Sequence, residues 1–347
     1  MTVITAYNAI NRDQWAALIR DSATGTWFQS PEAYRLFASL PELFEAFVFA
    51  IAREPDQGSE PASTGSLRGV CVGYLTRERC AAKQWFTRRA IIIGGPCLAD
   101  DSTDEEVKEL MVDVREHLKT KAIYIETRNF NDYSRWREAF TQAGFGYRPH
   151  LNFHVDCRDK TRLWEQLSDN RKRQIRKSEK NEVTILVPDA ISEADIRMWY
   201  RSLQQLYRTK VKTPLWPLAF FLEAHKQGVG KYMLVSYCGK VIGGSVVVAD
   251  GRSVYEWFEC GLNAEYKEQY PSVMATWVGM QWTNMCGLQR YDMMGAGEPG
   301  VPYGVRDFKA EFGGTMVEHG RFLCICRPWL YSLGKAGVTL LRAGAKA

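Results

Sequence analysis

Apolar positions along this chain alternate between helical spacing and short β-rich runs, and the changes divide it into successive helices and strands. Helical spacing occurs twice between Asp13 and Leu40, through Trp15, Leu18 and Ile19 and then Tyr34, Leu36 and Phe37. Ser30-Pro31-Glu32 supplies a cap and a proline at the first helical position of the second helix. Runs rich in β-branched and aromatic residues at 46–52 and 69–75 predict strands, and the polar, aperiodic stretch 55–66 between them predicts a mobile hairpin loop. Further on, 90–96 reads as a buried strand and 103–120 as an amphipathic helix with Val107, Leu110, Met111, Val114 and Leu118 on one face. A strand at 123–127, a helix at 133–143 stopped by Gly144 and a strand at 151–155 follow, closing a first domain near Cys157.

The second half opens with one helical segment over 160–180, a strand at 183–187 and helices over 193–207 and 217–227. Three strands, 232–237, 241–249 and 253–258, are separated by Gly239-Lys240 and by Asp250-Gly251-Arg252, tight-turn signals that predict an antiparallel meander. A helix at 272–286 and a strand at 290–294 complete the pattern. Helices, meander, helix and strand form the order of a GNAT acyltransferase domain, and the first half repeats it loosely. The expectation is an α/β (α+β) chain of two tandem GNAT-like domains, with mixed, largely antiparallel sheets flanked by helices. This rests on pattern, since no close sequence repeat accompanies it.

Length and composition agree with that division. A chain of 347 residues exceeds what one core usually fills, and 46% hydrophobic with 24% charged residues is ordinary globular composition. No apolar run approaches the roughly 20 residues that span a bilayer. Residues 1–11 lack both a basic start and an apolar stretch, which points to cytoplasmic residence. The nine cysteines are odd in number and sit mostly in strand-like surroundings, so they read as reduced core thiols. Cys324 and Cys326 form the one close pair, and without CxxC spacing no metal site is expected. The net charge of +5 is too small for nonspecific coating of nucleic acid, yet it suits an anionic ligand where the charge is clustered.

Clustering occurs in the segment Asn170-Arg171-Lys172-Arg173-Gln174-Ile175-Arg176-Lys177-Ser178-Glu179-Lys180, which resembles the "RxxIRKAEK" helix of FemAB-type transferases. Gly304-Val305-Arg306-Asp307-Phe308-Lys309-Ala310-Glu311-Phe312-Gly313-Gly314 is similar to the same family's "FKxxFGG" ending, and Trp27-Phe28-Gln29-Ser30-Pro31 to its opening. The resemblance implies two GNAT-like domains, 1–157 and 158–316, with 317–347 returning to complete the first. It also implies transfer of an aminoacyl group from aminoacyl-tRNA to the stem peptide of a peptidoglycan precursor. Known members often carry a long coiled-coil arm, and this sequence has no sustained heptad stretch. An acyl thioester, on coenzyme A or acyl-carrier protein, therefore stays open as the donor, with no resident cofactor.

At about 100° per residue, Lys172, Arg173, Arg176, Lys177 and Lys180 share one helix face, while Arg171, Gln174, Ile175 and Ser178 share the other. Such a cationic face suits the phosphates of a nucleotide-linked or lipid-linked precursor or of tRNA; a merely solvated face is the plain alternative. Amide formation from an ester or thioester also needs a positive group where charge develops on the carbonyl oxygen. The resemblance assigns that role to Lys309, flanked by Phe308 and Phe312. Arg306 is a candidate phosphate or carboxylate clamp, and Tyr303 and Phe308 are candidate substrate contacts. Asp292 is the base candidate carried forward for the amine proton, with Glu256, Glu259 and Glu298 as other carboxylates at or after strand ends.

Gly295, Gly297 and Gly300 spell GxGxxG, but Pro299 and Pro302 preclude the helix that a dinucleotide site needs. The turn is expected to shape a substrate channel beside Lys309. An acetyl-CoA site needs bare backbone amides before the helix that follows the meander; Gln269-Tyr270-Pro271-Ser272 offers no glycine there and removes one amide. Among the five histidines, His150 and His154 lie four apart on one strand face and read as satisfied polar groups. The segment 329–342 is weakly amphipathic and basic. Packing on its own domain is the first reading, and peripheral contact with the inner membrane surface is the second. Besides an amide-forming transferase, a noncatalytic module that binds tRNA or envelope precursors fits the same residues.

Overall fold

In the computed structural model, residues 2–53, 65–78, 80–211 and 214–344 are described, and the hairpin loop expected at 55–66 falls almost entirely outside them. The chain forms two compact units, one of residues 1–149 with 319–347 and the other of residues 150–318.

The first unit is built on an eight-stranded sheet. Its order runs Thr2–Ile4, Phe44–Arg53, Ser66–Thr76, Ala90–Gly94, Tyr124–Asn129, Arg321–Ile325 and Gly146–Arg148, with Cys97–Leu98 paired to Ser66–Thr76. Helix Asp104–Leu118 is started by a capping box between Thr103 and Glu106 and lays Val107, Leu110, Met111 and Val114 on the sheet. Another apolar cluster holds Trp15, Leu18, Val48, Val70 and Val72. Gln29, from the Trp27-Phe28-Gln29 stretch, is fully buried. Its Nε2 donates to Val72 O at 3.1 Å and Ile93 O at 2.8 Å, and its Oε1 accepts from Val72 N at 2.7 Å. It supplies the sheet bonds that the strands of Val72 and Ile93 do not make with each other there.

The second unit carries a seven-stranded sheet in the order Thr315–Glu318, Leu151–Asp156, Arg290–Gly295, Ser253–Gly261, Lys240–Ala249, Lys231–Tyr237 and Thr184–Leu186. The three strands from Lys231 to Gly261 are the expected antiparallel meander. Strand Leu151–Asp156, expected at the end of the first domain, instead pairs with Arg290–Gly295 and Thr315–Glu318. The helical segment expected over 160–180 is two helices, Lys160–Glu165 and Asp169–Lys180. The break falls where Ser168 Oγ turns back to accept from Arg171 N at 3.2 Å and caps the second helix. Helix Pro271–Met285 is buried almost all round, begins at a proline, and passes so close to Tyr291 that a Cβ at Gly279 would lie 2.5 Å from its hydroxyl.

Each sheet contains one parallel pair, and the two pairs differ. In the first unit Ala90–Gly94 runs beside Tyr124–Asn129 through five consecutive register positions. In the second unit Ser253–Gly261 runs beside Arg290–Gly295 through three, ending at Tyr255 opposite Asp292, after which the strands part.

Candidate active site

The parting of the Ser253–Gly261 and Arg290–Gly295 strands leaves main-chain carbonyls of the latter without a partner from the neighbouring strand. Lys309, on helix Gly304–Ala310, meets them. Its Nζ donates to Met293 O and, at 2.8 Å, to Gly295 O, and the side chain is buried. An ammonium has three N–H groups, so two fix it in place and one remains for a ligand. Burial depresses the Lys309 pKa, opposed by the negative charges of Glu256, Asp292 and Glu259.

Those carboxylates arrive by different routes. Residues three apart on a regular strand face opposite sides, so Glu256 and Glu259 should diverge. They do not, because the pairing skips Trp257: Val247 lies opposite Glu256 and Val246 opposite Phe258. The bulge returns both glutamates to the side covered by helix Pro271–Met285. Thr276 Oγ1 and Tyr291 Oη each donate to Glu256 Oε1 at 2.8 Å. Burial raises the Glu256 pKa, against the Lys309 charge and those two bonds. Ser272 bonds Glu259, whose Oε1 is buried and has no hydrogen-bond partner among the described residues. Burial, reinforced by the Glu256 charge, pushes the Glu259 carboxyl up to about 8.

Asp292 is fully buried and more constrained. His154 Nε2 lies 3.1 Å from its Oδ2, and Met294 N donates to its Oδ1 at 2.7 Å. Burial works against its charged form, but His154, Arg290 and that amide outweigh it and hold the carboxyl below its ordinary value. Asp292 therefore stands beside Lys309 as a fixed negative charge. Asp292 Oδ2 faces His154, whereas Glu259 Oε1 has neither a hydrogen-bond nor an ion-pair partner among the described residues, a placement set by a bulge that strand periodicity does not announce.

The two motif segments meet physically. Arg171 is buried, with its Cζ 4.4 Å from the Phe308 ring centroid and 5.0 Å from that of Phe312. Its Nη1 donates to Gln174 Oε1 at 2.6 Å and its Nη2 to Phe308 O at 3.2 Å. Ser168 N donates to Glu311 O at 2.9 Å, and Asn170 Nδ2 to Glu311 Oε2 at 2.8 Å. Gly313, at φ 78°, passes so close that a Cβ there would sit 2.1 Å from Gln166 O. This clasp fixes the helix that carries Lys309.

On the opposite face of the Asp169–Lys180 helix, Arg173, Arg176 and Lys177 are exposed and Lys172 is half-buried. Each is engaged: Lys172 Nζ donates to Glu165 O at 2.9 Å, Arg173 Nη2 to Asn170 Oδ1 at 2.9 Å, Arg176 lies over the Trp164 ring, and Lys177 pairs with Glu268. These are surface contacts that a phosphate can displace. Arg306 donates to Ala296 O at 2.9 Å and to Glu298 O, bracing the glycine turn after the Arg290–Gly295 strand. Tyr303, half exposed, packs over Gly297 in that turn.

The amides before helix Pro271–Met285 are already used. Asn263 Oδ1 accepts from Ser272 N at 3.2 Å, Asn263 Nδ2 donates to Ser272 Oγ at 2.7 Å, and Tyr270 enters at φ 44° ahead of Pro271. Ser178 Oγ and Asn181 Nδ2 tie the same loop through Gln269 O and Glu268 O. Among the described residues no group of His, Cys, Asp and Glu side chains could hold a metal ion, and no helix is long and apolar enough to cross a membrane.

The model of a family described as an acetyltransferase (GNAT) domain matches residues 165–309. No curated protein matches the sequence closely enough to count as a relative. Among solved structures the fold is similar to FemX, at 13% identity, with 96% of this chain and 99% of that one covered and a TM-score of 0.69. It is also similar to a tandem GNAT protein from the clavulanic acid biosynthesis pathway, at 9% identity over 94% and 98% of the two chains, with a TM-score of 0.57. A third is the C-terminal domain of a protein described as a lysylphosphatidylglycerol synthetase from Agrobacterium fabrum, at 11% identity over 94% and 95%, with a TM-score of 0.54. The two sheets, these likenesses and the matched domain together give this chain a tandem GNAT fold with an acetyltransferase (GNAT) domain in its second unit.

Proposed function

We propose that this chain forms an amide bond by moving an aminoacyl group from aminoacyl-tRNA, or an acyl group from a thioester, onto an amine of a peptidoglycan or other cell-wall precursor. The observation that carries the proposal is the Lys309 ammonium, buried where the Ser253–Gly261 and Arg290–Gly295 strands part and bordered by Glu256, Glu259 and Asp292. In this reading the amine nitrogen bonds to the donor carbonyl carbon and the third N–H of Lys309 meets the oxyanion. The ester or thioester bond then breaks. Glu259 accepts the proton that the amine loses and returns it to the leaving oxygen or sulfur. Asp292 and Glu256 hold Lys309 charged. Lys172, Arg173, Arg176 and Lys177 bind substrate phosphate, and Arg306, Tyr303 and Phe308 shape the approach to Lys309.

The loop ahead of helix Pro271–Met285 bears on the donor. With Asn263 bonded to the Ser272 amide, the place where a coenzyme A pyrophosphate would need bare amides is filled from within, which favours aminoacyl-tRNA. The matched GNAT domain favours an acyl thioester instead, and the two donors are separable by assay. The same reading places the protein in the cytoplasm with peripheral contact at the inner membrane surface.

The test supplies a muramyl-pentapeptide nucleotide with charged tRNA, acetyl-CoA or long-chain acyl-CoA in turn, and follows amide product by mass spectrometry. Product from charged tRNA that Lys309→Met abolishes supports the primary reading, and product from an acyl-CoA alone moves the donor to the thioester. Binding of the precursor without product from any donor, unchanged in Lys309→Met, would leave a binding module and no enzyme.

A further inference from the structure

The first unit presents an aromatic patch that the chemistry above does not use. Trp85 and Phe86, on helix Ala81–Thr87, and Trp329 and Leu333, on helix Pro328–Gly344, are each about half exposed, from 46% to 58%. The rings form one cluster: Trp85 lies 4.8 Å from Phe86 and 5.3 Å from Trp329 between centroids. Single exposed apolar residues are common on protein surfaces, whereas two tryptophans, a phenylalanine and a leucine brought together from two helices are not.

The surroundings of the patch are cationic. Arg327 places its Cζ 6.0 Å from the Trp85 ring and donates to Thr120 O at 2.6 Å. Arg88 and Lys121 share the single carboxylate of Glu45, together with Arg77, leaving a positive excess around it. Trp85, Arg88, Lys121 and Arg327 line a cavity of about 450 Å³ beside the rings, with Glu78 as its one acidic lining residue against three basic ones. Lys335 continues the positive charge along the second helix, its Nζ 5.9 Å from the Tyr331 ring. Indoles prefer the boundary between hydrocarbon and headgroups, and guanidinium and ammonium groups next to them match lipid phosphate.

We propose that this patch is the surface by which the protein rests on an anionic lipid bilayer, with Trp85, Phe86, Trp329 and Leu333 entering the headgroup boundary and Arg88, Lys121 and Arg327 receiving lipid phosphate. This rests on the peripheral-contact part of the proposed function and names the surface and the lipid charge. It is independent of the transfer chemistry.

The experiment is cosedimentation of the full chain with vesicles of phosphatidylcholine alone and of phosphatidylcholine mixed with phosphatidylglycerol, at low and high salt. Wild type is expected to sediment with the anionic vesicles and to be released by salt. Trp85→Ser/Trp329→Ser should weaken that binding by roughly tenfold or more. Arg327→Glu should weaken it and flatten the salt dependence. Thermal melts of each variant confirm that the exposed substitutions leave the fold intact. Wild type remaining in the supernatant, equal binding to neutral vesicles, or a Trp85→Ser/Trp329→Ser variant that binds as wild type does would each overturn the proposal. So would a wild-type dimer in solution that the double variant converts to monomer, since the patch would then be a self-interface. Amide transfer to a soluble acceptor is measured in parallel, so loss of vesicle binding with transfer intact separates this surface from the active site.

Discussion

Arg171 Nη2 donates to the carbonyl of Phe308 while its guanidinium lies over the Phe308 ring, so one side chain of the basic helix holds both backbone and ring of the segment that presents Lys309. Arg171→Ala leaves Phe308 O and Gln174 Oε1 without that donor and opens space against two rings. The expected loss is about 2–4 kcal/mol in urea unfolding. Arg171→Lys should recover less than half of it, because an ammonium cannot reproduce the planar fork. A loss under about 1 kcal/mol would show that the two motifs do not clasp.

Lys309→Met separates catalysis from stability. The variant loses two bonds to carbonyls but also removes a buried charge, so its unfolding free energy should stay within about 1–2 kcal/mol of wild type. Turnover should fall by about 10²–10³ under saturating substrate. A fall in substrate affinity with turnover preserved would make Lys309 a binding residue.

Glu259 gives a pH signature with a definite sign. Its folded-state carboxyl titrates at about 8, above its ordinary value near 4.5. Below about 4.5 it is protonated in both states and contributes no pH dependence. Between those values the folded protein binds more protons than the unfolded chain, so stability declines as pH rises and levels off above about 8. Transfer, which uses the carboxylate, should increase across the upper part of the same window. Glu259→Gln should flatten the decline in stability and abolish that limb of the rate profile. Denaturant midpoints and initial rates from pH 5 to 9 test both, and identical profiles for the variant would remove Glu259 from the mechanism.

Gly313 is constrained by its conformation and by its neighbour. At φ 78° any side chain is strained, and a Cβ would stand 2.1 Å from Gln166 O. Gly313→Ala should cost about 2–4 kcal/mol and displace the Lys309 helix. A calorimetric melt and a turnover measurement should fall together. Gly304→Ala, with open space around it, should change neither by much.

Much of this was legible in the chain. Turn residues at Gly239 and Asp250-Gly251 marked the meander, and helical periodicity separated the exposed cations of residues 172–180 from Arg171, Ile175 and Ser178. What periodicity lacks is depth. It put Arg171 on the face opposite the cations but could not tell that a guanidinium would be enclosed there, because the enclosing rings lie some 137 residues away in sequence. It missed the break at 166–168, since Leu163, Leu167 and Ile175 remain compatible with helical spacing while Ser168 can equally cap. Glu259 was one of several carboxylates without rank, because one skipped register position at Trp257 decides which way it faces. Strand Leu151–Asp156 was read as closing the first domain, whereas it pairs within the second unit, since a strand's alternation records that it has partners and not which ones they are.

Strand Arg321–Ile325 has a consequence for how the protein is made. It sits between Tyr124–Asn129 and Gly146–Arg148, and among the described residues the latter has no other partner in its sheet. A ribosome delivers the chain from its N-terminus, so the first 149 residues emerge long before the strand that completes their sheet. The unit of residues 150–318, contiguous in sequence, has all its strands available earlier. During synthesis, therefore, the unit begun first is finished last, with the edge of Tyr124–Asn129 open until Ile325 has cleared the exit tunnel.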